Sequence, residues 1–232
     1  MLLQADWVMV ALLSTTAGAV DVIGFLALGG LFTAHITGNL VVLAAHYVTG
    51  GFSEIGPLLS VPVFVAVLGT VTVLFSDKVT RGTRRALLIL HVVLLAAFLG
   101  FGVGCGPFTN PDSAMAVGVG MLGVAAMATQ NALVKIELRS FPSTAVVTTN
   151  TVQLTIDLAV LVRGQANPDD LARARRRVRL TFPSVGGFTA GCAGGAFLEI
   201  HFGLWGLMLP VTLAAIAGLL GELWVPVAEC IR

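Results

Sequence analysis

The sequence predicts an all-α fold, a polytopic integral membrane bundle of six to eight hydrophobic segments. Three observations predict it. Hydrophobic residues make up 56% of the chain and charged residues 11%, with a mean hydropathy of +0.95. A soluble domain of 232 residues has too little interior to hide that much apolar surface, and a bilayer has enough. The apolar residues also fall into about eight stretches, several with a polar group part-way along. In lipid such stretches must be helices, because unpaired backbone groups are too costly there.

In chain order the stretches cover roughly Trp7–Leu28, Phe32–Val48, Leu58–Phe75 and Ala86–Gly104. Then come Ala114–Val134, Ala145–Val162, Leu180–Leu198 and Leu204–Val225. The linkers Thr49–Pro57, Gly106–Asp112 and Glu199–Gly203 lack Lys and Arg and read as loops on the non-cytoplasmic side. Ten of the 13 basic residues lie in two clusters, Lys78–Arg85 and Arg163–Arg179. The run Asp169–Arg179 reads as a short surface helix whose arginines set topology and meet anionic lipid. The apolar run past Ala17-Gly18-Ala19 argues against a cleaved signal peptide.

Positive charge sets orientation. If all eight stretches crossed, the basic loops 77–85 and 163–179 would face opposite sides. Both face the cytoplasm if the first two stretches make one net crossing and the fifth and sixth another. Each pair then holds a full crossing plus a broken or re-entrant piece. Thr37-Gly38-Asn39 recurs as Thr148-Thr149-Asn150, and each follows an upstream polar position, Asp21 or Asn131. This predicts a single membrane domain over 1–232 with repeat halves of about 1–104 and 113–227. Three net crossings per half make the repeat inverted, a plan used by many transporters.

The polar interruptions are the candidate site. An intramembrane carboxylate such as Asp21 faces the protein interior, water or a partner, and either binds a proton or cation or packs against a neighbouring helix. In His35-Ile36-Thr37-Gly38-Asn39, Gly favours a break and Asn39 is placed to cap the helix that follows. Asn150, Gln153 and Asp157 share one helical stripe, which reads as the lining of an aqueous path or as interhelical hydrogen bonding. Gln130 and Asn131 admit the same two readings. The candidate solute- or ion-binding set is therefore Asp21, His35, Thr37, Asn39, Asn131, Asn150, Gln153 and Asp157. Gly187, Gly191 and Gly195 read as a close helix contact, within the bundle or in a homodimer.

Cys105, Cys192 and Cys230 lie far apart without ligand-like neighbours, so no metal site or disulfide framework is expected. Phosphate-loop, zinc-protease, nucleophile-elbow and dinucleotide-binding motifs are absent, so neither an enzyme nor a cofactor is expected. A net charge of +1 gives no field for nucleic acid. The expected partners are membrane lipid, an unidentified small solute or ion, and a second copy of the chain. The leading expectation is a small transporter or channel. A membrane scaffold or sensor comes second, and an intramembrane enzyme last.

Ala17-Gly18-Ala19-Val20-Asp21, Gly29-Gly30, and Phe32 followed by Thr37-Gly38-Asn39 resemble the opening signature of the YoaK-like family, bacterial membrane proteins catalogued as a domain of unknown function. Gln130-Asn131 and Thr148-Thr149-Asn150 resemble its second-half elements, with Thr149 where that family has Gly. The resemblance covers nearly the whole chain. It implies a multi-pass protein of the bacterial inner membrane and supplies no substrate.

Overall fold

A computed structural model describes residues 2–50, 55–75, 80–137, 144, 147–165 and 167–223. The expectations for Lys78 and Cys230 fall outside them. The described residues form eight α-helices and no strand: α1 (Leu2–Ala27), α2 (Ile36–Thr49), α3 (Ile55–Phe75), α4 (Arg81–Cys105), α5 (Ala114–Glu137), α6 (Val147–Arg163), α7 (Pro168–Phe202) and α8 (Met208–Leu223). A short 3-10 turn, Gly203–Leu207, joins the last two.

Five continuous helical stretches are long and apolar enough to cross a bilayer: 7–27, 55–75, 81–105, 114–136 and 168–221. The last is a hairpin. Gly203 takes a left-handed φ of 58°, and Gly206 folds back onto Leu198 and Glu199. It supplies two arms, α7 and α8, so six arms have membrane-crossing length. α2, with 14 residues, is too short. α6 has 17 residues, the lower limit, and carries Asn150, Gln153 and Asp157. Large apolar side chains such as Val48, Val73, Val162 and Ile200 stand exposed on the outside of the bundle, as a lipid-facing surface requires.

Contacts between helices fix their directions. Gly187 meets Ala11 and Thr15, Gly191 meets Thr15 and Ala19, and Gly195 meets Ala19 and Val22, so α1 and α7 run parallel. The α8 residue Gly221 lies against Met9, Arg84 and Leu88, while Leu204 and Leu207 lie against Gly102. α8 therefore runs opposite to α4, and α1, α4 and α7 all start at one end of the bundle. That end carries both described basic segments, Arg81–Arg85 and Arg173–Arg179. α3 starts at the far end, where the Ile55 N–H donates to Asp112 Oδ1 (3.0 Å).

α1 and α5 form the buried centre, with Ala17, Val20, Ile23, Phe98 and Met127 among their core contacts. α7 and α8 pack on α1, and α3 and α4 on α5. The outer helices α2 and α6 rest on α3 and α7 respectively.

Four expectations need correction. The second apolar stretch becomes helical at Ile36, not Phe32, because Gly29 and Gly30 adopt φ of 64° and 90° and the chain stays irregular through His35. Asn39 does not cap α2, since it lies inside the helix; the N-cap position is His35. The run Asp169–Arg179 is no separate surface helix but the first part of the 35-residue α7. That helix starts where Asn167 Oδ1 accepts from the Asp170 N–H (2.8 Å) and Pro168 enters the first turn. Glu199–Phe202 is helical as well, and only Gly203 onward turns.

Candidate functional site

The break before α2 is held by two side chains. Asp21, buried in α1, accepts from the backbone N–H groups of Ala34 (2.7 Å) and His35 (3.3 Å). The His35 ring Nδ1 lies 3.4 Å from its other oxygen. A carboxylate at this depth needs donors, and the loop's unpaired amides supply them. Asn39 reaches back from the first turn of α2. Its Oδ1 accepts from the Phe32 N–H (2.8 Å) and its Nδ2 donates to the Phe32 carbonyl (2.7 Å) and to Ser60 Oγ on α3 (2.8 Å). Gly38 does not make the break. It sits inside α2, where a Cβ would come within 3.0 Å of the Phe32 ring.

At the second break, between α5 and α6, the groups supplied by the described residues are neutral. Gln130, fully buried in α5, donates from Nε2 to Thr144 Oγ1 (3.1 Å) and to the Leu13 carbonyl of α1 (2.9 Å). Asn150 Nδ2 donates to Ser184 Oγ on α7 (2.8 Å). α6 starts at Val147, so Thr149 is already helical and no Gly is required there. Further along α6, Gln153 donates to Asp157 Oδ2 (3.0 Å), and Arg177 of α7 grips the Asp157 carboxylate through Nε (3.0 Å) and a terminal nitrogen (2.6 Å). The Asn150–Gln153–Asp157 stripe thus faces α7.

The two breaks meet at a cavity of about 450 Å³. His35 and Thr37 line it from the first break, Thr148 from the second, and Asn131 and Lys135 from α5. Of the sequence-selected set, His35, Thr37 and Asn131 border this space, and Asp21 stands behind His35. Asn39, Asn150, Gln153 and Asp157 are not among its lining residues. The polar groups sort into those that hold the breaks and those that face the space between them. Among the described residues no group of three or more His, Cys, Asp or Glu is placed to hold a metal ion.

A family model described as "Protein of unknown function (DUF1275)" matches residues 9–220. The chain belongs to this family. A 35-residue stretch is 60% identical to the UPF0700 transmembrane protein YoaK of Bacillus subtilis (strain 168), covering 15% of this chain and 16% of that protein. No solved structure matches the chain. The DUF1275 chain is a multi-pass membrane protein.

Several polar residues at or near the site belong to no sequence pattern, among them Ser60, Thr144, Ser184, Lys135 and His91. Lys135 is one helical turn beyond Asn131, and its only signal was being a lysine outside both basic clusters. His91 is fully buried in α4, where Nδ1 pairs with the Ala126 carbonyl (3.0 Å) and Nε2 has no partner among the described residues. A single His amid leucines gave no pattern to find it by.

Proposed function

We propose that the chain is a small transporter or channel of the bacterial inner membrane, moving a small solute or ion through a polar site between α2 and α6. The observation that carries this reading is the cavity shared by the two breaks. His35 and Thr37 face it from one half, and Thr148 from the other. We read the halves as an inverted repeat. The contact of α1 with α7 is matched by α5 with α3, and the Asn39–Ser60 bond by the Asn150–Ser184 bond. Both basic segments would face the cytoplasm. A homodimer would need a face other than the Gly187–Gly191–Gly195 stripe, which is spent on α1.

The test is water access. In a variant with Cys105, Cys192 and Cys230 replaced by Ser, Thr37→Cys and Thr148→Cys should both react with a small water-soluble methanethiosulfonate in the membrane. Val152→Cys, on the exposed face of α6, should stay at least tenfold slower. Unreactive thiols at both cavity positions would refute the path.

A second reading is a scaffold or sensor that moves no solute. Its support is the pairing of Asp21, Asn39, Asn150 and Asp157 with groups of the protein itself.

A further inference from the structure

A second cavity, of about 440 Å³, opens at the end of the bundle opposite the basic segments. Leu26 of α1, Gly102 of α4, Phe108 of the following loop, and Glu199, Phe202 and Trp205 at the α7–α8 hairpin contribute to its wall. Glu199 is the one ionisable side chain among the lining residues. Its Oε2 is sealed from solvent and has no hydrogen-bond partner among the described residues. A buried carboxylate oxygen is costly unless a donor or a positive charge meets it. The neighbouring backbone offers little. The Gly203 and Gly106 N–H groups are already given to the Glu199 and Gly102 carbonyls. The other lining side chains are aliphatic or aromatic, and backbone groups of the lining glycines supply further polar surface.

We propose that this cavity binds a primary ammonium group, with the Glu199 carboxylate turning toward the cavity to accept its hydrogen bonds. An ammonium supplies the missing donor and the missing charge together. The rings of Phe108, Phe202 and Trp205 suit the carbon chain of an amine, and ring faces attract cations. A neutral alcohol brings the donor without the charge, and a quaternary ammonium the charge without the donor. The ammonium can come from a soluble amine or from a phosphatidylethanolamine headgroup at the membrane surface. This site is separate from the space between α2 and α6 and does not depend on its role.

The test uses the full chain. In detergent, n-butylammonium should bind saturably to the wild type, while n-butanol and tetramethylammonium bind at least tenfold more weakly. Glu199→Gln, which keeps the shape, should weaken n-butylammonium at least tenfold with little change in thermal midpoint. Phe108→Leu, in the loop, should weaken it severalfold and guards against a misfolded Glu199 variant. In nanodiscs, Glu199-dependent retention of phosphatidylethanolamine over phosphatidylcholine, seen by native mass spectrometry, would support the site and name the lipid as the source. If neither n-butylammonium nor phosphatidylethanolamine distinguishes the wild type from Glu199→Gln, the proposal is overturned.

Discussion

The two breaks carry similar sequence elements but are held by different chemistry. At the first, an ionisable group does the holding: Asp21 takes the amides of Ala34 and His35, and Asn39 pins the Phe32 peptide. At the second, neutral Gln130 ties Thr144 to α1, and the only carboxylate in α6, Asp157, is gripped by Arg177 well beyond the break. Similar polar spacing can therefore serve different ends.

The largest effect should come from the scaffold both breaks hang on. A Cβ on Gly191 would lie 2.1 Å from the Thr15 carbonyl oxygen, so Gly191→Leu must force α1 and α7 apart. A cost of about 3 kcal/mol or more, at the top of the overpacking range, is expected as a lower thermal midpoint in detergent or a loss of folded protein. Gly194→Ala, whose nearest added contact is Leu209 at 3.6 Å, should stay within about 0.5 kcal/mol. Equal midpoints for the two variants would place α1 and α7 apart.

Asp21→Leu should come next. It strands the buried Ala34 amide at roughly 1–3 kcal/mol and the part-buried His35 amide at less, whereas Asp21→Asn keeps an acceptor and should lose less. Thermal unfolding of the pair checks this, and an equally mild Leu variant would deny Asp21 its role in the break. Asn39→Ala removes the clamp on the Phe32 peptide and should destabilise by about 1 kcal/mol or more, the value of a typical hydrogen bond, seen as a lower thermal midpoint. The smallest difference should be between Arg177→Gln and Arg173→Gln. Arg177 shares a buried carboxylate with Gln153, which still donates to it in the variant, while Arg173 pairs with exposed Asp170, so Arg177→Gln should be the less stable by a small margin.

The eight apolar stretches and the small-residue stripe were legible because membrane depth leaves helices as the only option and because close packing requires Gly. The breaks were legible as places and not as mechanisms. Asn39 read as a cap because Asn favours that position. In the fold it works backward from inside the helix onto the Phe32 peptide and Ser60, and the Phe32-to-Asn39 spacing alone does not show that direction. The stripe in α6 showed its face in the sequence but not its partner, since Arg177 comes from a segment that read as a separate surface helix. Lys135 and His91 were invisible for the same reason: their neighbours come from other helices.

α2 and α6 run as half-helices toward opposite ends of the bundle. The most direct measurement is cysteine sidedness in intact cells, with an impermeant thiol reagent on the cysteine-free background. Thr49→Cys, at the end of α2, should label from outside. Gln165→Cys and Gly82→Cys, beside α6 and in the first turn of α4, should label only after permeabilisation. Labelling of Thr49→Cys and Gln165→Cys from the same side would contradict the account and leave α2 and α6 as ordinary helices.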